Sequence, residues 1–256
     1  MTGKTCLNCG HKTYGKFCQN CGQKADTHRL NWHYVWHDLP HSFLHVDKGI
    51  FYTFKQLSTR PGHAINEFLD GKRAVHFRPL MYLIITGTIT GLIYLSLPEH
   101  SLFARDAETM DFITKLSRFQ GKYFNFIGIG FLPITAFFTW LFYRKQRNYV
   151  EIMVSLFFIT GHMNLISLLN VFTYPFGNLY LTSSVSFVGG IISIAYFVWA
   201  FYQLFHKTTG AKRVVFPLII SLLNSTLLVI LTLALFILYM ALTGQGTAFN
   251  LNYGFE

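Results

Sequence analysis

Charge is scarce in this chain. Asp, Glu, Lys and Arg make up 12% of its 256 residues, about half the share usual in a soluble globular chain. That scarcity excludes an ordinary water-exposed surface. Nearly half of the charges fall in the first third of the chain, before Phe77, and the remainder is long apolar runs joined by short polar loops, which reads as a polar head on a membrane body. Cysteine is scarce as well: there are four, all between positions 6 and 21. The opening residues, MTGKTCLNCG, have no apolar core, so a secretory signal and export of the head are not expected. A formal net charge of +10 would suit nucleic acid if the cations shared one soluble face. They gather instead on alternate loops, which points to topology signals and anionic lipid head groups and away from nucleic acid.

Five apolar runs are present, at Pro79–Leu97, Phe124–Tyr143, Ile152–Phe172, Val185–Phe205 and Val214–Ala241. A bilayer core about 30 Å thick needs roughly 20 helical residues. The first four fit directly, and the fifth, at about 1.5 Å per residue, is long enough to tilt or protrude. A soluble helical core is excluded by Ile219–Tyr239, which has no charge and hence no polar face. The expected fold class is an all-α polytopic membrane protein. Five transmembrane helices fill residues 79–256, amphipathic juxtamembrane helices fill 28–78, and a small zinc ribbon fills 1–27. The segment through Arg78 carries 11 Lys or Arg, and the loops at 144–151 and 206–213 carry three each, whereas the 173–184 loop carries none. By the positive-inside rule the N-terminus is cytosolic and the C-terminus external, which an odd span number requires. Met110–Gln120, with Met110, Ile113, Leu116 and Phe119 at helical spacing, is expected as a short helix lying on the outer surface.

Residues 6–22 read CLNCGHKTYGKFCQNCG. Two C-x2-C-G knuckles bring Cys6, Cys9, Cys18 and Cys21 to one point, and Gly10 and Gly22 let the backbone turn beneath it. Four thiolates suit one tetrahedral zinc ion in a closed structural site with no position open for catalysis. Iron uses the same ligands, and disulfides are disfavoured in a reducing compartment. A module this small has almost no core, so its fold should depend on the metal. Lys4, Lys12, Lys16 and Lys24 make it basic, suited to docking a cytosolic protein or to resting near anionic lipid.

Between head and bundle, Trp32, Tyr34, Val35, Trp36, Leu39, Phe43, Leu44 and Val46 alternate with His28, His33, His37, His41 and His45, an amphipathic interfacial pattern. Next, Ser58 or Thr59 is expected to cap a helix opened by Pro61 and stopped at Gly71. Arg60, His63, Glu67, Arg73, His76 and Arg78 crowd this region. They form either an ion-paired bolt or a site for an anionic group such as a lipid phosphate, whose oxygens match the Arg fork. Within the spans, His162 and Asn224 fall about 15 Å from the cytosolic ends, level with Thr88, Thr135 and Ser193. Such a layer is either a small polar path or interhelical glue. No Asp, Glu, Lys or Arg stands mid-span. Gly87, Gly91, Gly189 and Gly190 permit close helix contact.

The C-x2-C-G…F-C-x2-C-G-Q ribbon ending at Gln23, followed by TFKQLSTRPG…FLDGKR…F-x-P-L at Thr53–Leu80, resembles an uncharacterised family of Bacteroidota membrane proteins. Five spans after a cytosolic head are more distantly similar to Yip1-type membrane proteins. That likeness implies roles in membrane traffic and lipid organisation, by fold analogy only. The family resemblance implies a bacterial inner-membrane location and no established activity. Three functions therefore compete: a membrane scaffold or adaptor with a docking ribbon, a small-solute or ion transporter through the layer at His162, and a lipid head-group binding protein or enzyme at the Arg cluster.

Overall fold

The computed structural model describes residues 3–32, 49–96, 107–169, 171 and 179–243. The His-rich stretch at 33–48, the polar segment 97–106 and the tail after 243 lie outside the described residues. A short antiparallel hairpin, β1 (Lys4–Thr5) and β2 (Lys12–Thr13), pairs Lys4 with Thr13 and Thr5 with Lys12. Seven helices follow among the described residues: α1 (Gly49–Thr59), α2 (Pro61–Leu69), α3 (Pro79–Ser96), α4 (Ala107–Tyr143), α5 (Tyr149–Ser167), α6 (Leu179–Leu204) and α7 (Lys212–Leu242). Four helical segments are long and apolar enough to cross a membrane: Phe126–Tyr143, Tyr149–Ser167, Phe187–Leu204 and Lys212–Leu242. Pro79–Tyr94 is a shorter apolar helix. The chain is an all-helical, multi-spanning membrane protein with a cysteine cluster near its N-terminus.

Helix α5 is the central element, packed against α1, α2, α3, α4 and α6. Its start is specified locally. Asn148 accepts from the Glu151 amide at 2.8 Å and the Glu151 carboxylate accepts from the Asn148 amide at 2.8 Å, a reciprocal cap that satisfies two otherwise orphaned donors. Every residue from Val150 to Ile159 is buried. Helix α3 lies beside α5 and runs parallel to it. Gly161 sits against Tyr82, Leu83 and Thr86, while the Thr90 and Tyr94 hydroxyls donate to the carbonyls of Asn164 and Ser167. These pairings are offset, so α3 begins about 12 Å further along the axis than α5, at 1.5 Å per residue. The first half of α5 is therefore wrapped by other elements, chiefly α1, α2 and the stretch before them.

Helices α1 and α2 form a hairpin that fills this space. The Phe77 amide donates to Thr53 at 2.7 Å near the start of α1, and the Tyr196 hydroxyl of α6 donates to the Leu57 carbonyl at 3.1 Å near its end. The chain then reverses at Arg60–Pro61. The Gly62 amide donates to Gln203 and the Asn66 side chain to the Leu204 carbonyl, both at 3.0 Å. Gly62 lies so close to Ala200, Gln203 and Leu204 that a Cβ there would collide with the α6 backbone, which is why glycine follows Pro61.

Three sequence expectations change. Ser58 and Thr59 do not cap α2; they end α1, and their hydroxyls donate back to the carbonyls of Phe54 and Lys55. Arg60 holds the cap position without a side-chain bond. Met110–Gln120 is no separate surface helix but the beginning of the continuous 37-residue α4, because nothing between Ala107 and Phe126 breaks the helix. Gly190 meets nothing within 4 Å; close backbone approaches among the described residues lie at Gly49, Gly62 and Gly161. Gly71, with φ +112, does stop the turn after α2, as its freedom from a Cβ allows.

Candidate metal centre and its joint with the bundle

The two cysteine knuckles are built alike. In the first, the Cys6 amide donates to the His11 carbonyl and the Gly10 amide to the Cys6 carbonyl. In the second, Cys18 donates to Gln23 and Gly22 to Cys18. Gly10 and Gly22 take φ of 76 and 73, the left-handed turn that carries each amide under the sulfurs. The four Sγ atoms lie within 4.8 Å of one another, with Cys6–Cys21 and Cys9–Cys18 both at 3.6 Å. Bonds of about 2.3 Å from a central tetrahedral ion place sulfurs about 3.8 Å apart, whereas a disulfide needs about 2.05 Å. The cluster therefore fits one metal ion. Four thiolates this close also require a cation to offset their repulsion.

Among the described residues, the hydrogen bonds from the head to the bundle run through one side chain. Gln23, buried among the head and the 71–74 loop, donates to the Gly71 carbonyl at 2.9 Å. Its amide oxygen accepts from the amides of Arg73 at 2.9 Å and Ala74 at 3.0 Å. The Leu7 side chain packs on Gly71, where a Cβ would lie 2.6 Å from its Cδ1. The CGQ and DGKR motifs are thus the two halves of one joint. The chain after the head then crosses the start of α5. Arg29 makes a bidentate pair with Glu151 at 2.7 and 2.8 Å, the Asn148 side chain donates to the Leu30 carbonyl, and Trp32 packs on Tyr149. Sequence reasoning missed Glu151 because it stands one residue before the expected span. The N-x-x-E cap signature at Asn148–Glu151 was the available signal.

The family model of a protein of unknown function (DUF3667) matches residues 47–91. That match covers α1, α2, the 70–78 loop and the first turns of α3, so it describes the hairpin and one side of the joint. No curated protein and no solved structure matches the chain.

The charged residues expected at this face divide into two groups. Arg60, Glu67 and His76 meet, together with Lys72: Glu67 accepts from Arg60 at 2.7 Å and from Lys72 at 3.0 Å, with His76 Nε2 at 3.9 Å. Burial alone would raise the Glu67 carboxyl, but the hydrogen bonds from Arg60 and Lys72 hold it below the usual range. Burial pushes His76 down to about 4, against the pull of Glu67. His63 is exposed and lines a cavity of about 540 Å³ with Arg60 and Glu67. Arg73 turns the other way, donating to the carbonyls of Phe68 at 3.3 Å and His28 at 2.8 Å. Arg78 is exposed just before α3.

The polar layer is also rearranged. His162 Nδ1 is 2.9 Å from the Tyr82 hydroxyl and Nε2 is 3.3 Å from Ser58 Oγ, with the Tyr196 ring stacked at 5.1 Å and the Phe54 ring tilted at 5.4 Å. Asn224 does not join it, and its buried amide atoms have no hydrogen-bond partner among the described residues. The reason is the hairpin: α1 supplies Ser58 from outside the spans, and the offset of α3 brings its first turn, not its middle, level with His162.

Proposed function

We propose that this protein is a membrane scaffold or adaptor whose metal-held head docks a cytosolic protein. The ion is zinc. The shorter α3 helix completes a set of five spans, with the N-terminus cytosolic and the C-terminus external in a bacterial inner membrane. The bacterial location follows from the Bacteroidota likeness and the span count from the five apolar runs; neither that likeness nor the Yip1-type one adds chemistry. The observation that carries the reading is the Gln23 joint. A closed four-cysteine site offers no reactive position, yet its head is fixed to the bundle by three hydrogen bonds. Tyr14 and Phe17 are exposed on it beside Lys12 and Lys16, an aromatic and basic surface of the kind used in docking.

Two observations favour this reading over its competitors. A transport path needs space at His162, and there the ring is enclosed by Ser58, Tyr82, Tyr196 and Phe54. The cavities beside Arg147, Trp199 and His63 do not have His162 in their linings. A head-group site at Arg60, Glu67 and His76 needs free charge, and there Glu67 is already shared by Arg60 and Lys72. The test is a photo-crosslinking residue placed at Tyr14 or Phe17 in intact cells. One discrete adduct that disappears with Cys6→Ser is expected. No adduct at either position, or one that persists without the metal ligand, would refute the adaptor.

A further inference from the structure

A groove of about 460 Å³ runs along α6 where it meets α7, walled by Ile191, Ala195, Val198, Trp199 and Tyr202 of α6 and by Leu218 of α7. From Ile191 to Tyr202 it is about 16 Å long, at about 1.5 Å per residue, close to the roughly 15 Å of hydrocarbon in one leaflet. Arg213 stands at its Tyr202 end. The guanidinium carbon lies 3.6 Å from the centre of the Tyr202 ring. Its Nε donates at 2.9 Å to the Tyr202 carbonyl, one of those that the end of α6 leaves without an intrahelical donor. The two amino groups of Arg213 have no hydrogen-bond partner among the described residues. Lys207 and Lys212, close by in the chain, are exposed and make no ion pair among the described residues. No Asp or Glu occurs between Glu151 and Glu256, so α6, α7 and the loop between them offer these cations no carboxylate.

We propose that this groove binds an anionic phospholipid, with one acyl chain along the α6–α7 wall and the phosphate on the amino groups of Arg213. The wall is apolar and as long as a leaflet is deep, which suits a chain lying along it. Stacking on Tyr202 and the bond to its carbonyl fix the guanidinium beforehand, so little freedom is lost when phosphate oxygens meet the amino groups. Trp199 and Tyr202 lie at the same end, where aromatic side chains favour the head-group level. Charge selects the lipid. A zwitterionic head would bring its own ammonium to a cluster of cations that has no carboxylate, whereas an anionic head brings only the charge the cluster lacks. The same argument disfavours a second copy of this chain, since a two-fold contact presents each patch to itself and would set Lys207, Lys212 and Arg213 against their own kind. This site shares no residue with the Arg60–His76 group or with the Tyr14–Phe17 surface, and it stands whether or not the head docks a partner.

The test uses the full chain, metal-loaded, in phosphatidylcholine nanodiscs, whose two leaflets carry the same lipids. The discs are doped with phosphatidylglycerol or with phosphatidylcholine bearing bromine in the upper part of one acyl chain, which quenches tryptophan on contact. Trp199 emission is read as the difference made by Trp199→Phe in each background. Half-maximal quenching at about fivefold lower content of the phosphatidylglycerol probe is expected, the discrimination one cation gives near a membrane surface. Arg213→Gln removes that preference. Ala195→Phe, which fills the groove from an exposed position and keeps the charge, removes it as well. Lys122→Gln, an equal charge change about 31 Å along α4 from its Tyr143 end, leaves it within about twofold. The proposal is overturned by equal quenching from the two probes, by a preference that survives Ala195→Phe, or by Lys122→Gln acting as strongly as Arg213→Gln. It is overturned too by Trp199 emission that neither probe quenches, the result expected if a second copy covers the groove.

Discussion

Helix α5 buries 67% of its span inside the protein and α7 buries 11%, although both are apolar runs of membrane-crossing length. Lipid tails are as apolar as leucine, so hydropathy draws both helices into the bilayer without choosing which faces protein. The choice is made by shape and by the helix ends. Helix α5 has Gly161, which admits Tyr82 and the Leu83 backbone, and a capped start whose Glu151 binds Arg29. Helix α7 presents Leu222, Val229, Ile230 and Ile237 outward and has no comparable anchor among the described residues.

The sharpest way to break this comparison is to truncate one large side chain in each helix. Phe158, 1% exposed, meets Phe68, His76 and Tyr82 edge-on or tilted. Phe158→Ala should cost about 3–5 kcal/mol, as for buried aromatic truncations elsewhere. Leu222→Ala, on the lipid side, should change stability by less than about 0.5 kcal/mol. Thermal unfolding of both variants in nanodiscs measures the difference, and equal losses would mean that α7 is as enclosed as α5.

The hairpin against α6 offers a second contrast, between two glycines. Gly62→Ala must push α2 away from the α6 backbone, a cost of about 1–3 kcal/mol for overpacking. Gly190→Ala meets open space and should be neutral or slightly stabilising by about 0.5 kcal/mol, as helix propensity favours alanine. Faster amide exchange confined to α2 in Gly62→Ala, with none in Gly190→Ala, is the expected signature.

A third contrast separates the head from its seat. Gln23→Ala removes its three hydrogen bonds to the 71–74 loop and leaves the Arg73 and Ala74 amides without that acceptor, a loss of about 1–3 kcal/mol. The metal site should survive, since Gln23 contributes only its backbone carbonyl to the knuckle. Retained metal content with new protease cleavage between Thr27 and Trp32 would show the head released but folded; loss of metal would show that joint and metal site are one unit.

Much of the framework was legible because its determinants are local. The cysteine knuckles carry their spacing and glycines within 17 residues, and the membrane spans follow from composition. The helix stop at Gly71 needs only a backbone that tolerates positive φ. The joint was not legible, because Gln23 and the 71–74 loop are far apart in the chain and nothing in a single glutamine announces its partner. The Arg cluster was named as one set from its density in sequence. The chain path splits it, as Arg60 turns along α2 toward Glu67 while Arg73 turns toward His28. His162 does find a hydroxyl in another apolar helix, Tyr82 at 2.9 Å, but its second partner, Ser58 at 3.3 Å, comes from a hairpin whose depth depends on the offset of α3 from α5, a purely tertiary quantity.

The smallest expected effect distinguishes the enclosed hairpin from an exposed loop by its response to acid. His76 lies against Tyr52, Phe68 and Phe158, its Nε2 has no hydrogen-bond partner among the described residues, and Glu67 is 3.9 Å away. Burial pushes it down to about 4, below the value near 6.5 of an unfolded histidine. The unfolded chain therefore takes up the proton first, and this contribution to stability is full above about pH 6.5, falls as the pH drops, and levels off near 4. Between pH 7 and pH 6 the loss is about 0.7 kcal/mol, insensitive to the depressed value because both pH values lie above it. His76→Phe keeps an aromatic ring in place and removes the proton site. Unfolding midpoints at pH 7 and pH 6 should therefore differ less in the variant than in the parent. An unchanged difference would mean that water reaches His76 and that the hairpin does not seal the first half of α5 in the way its packing indicates.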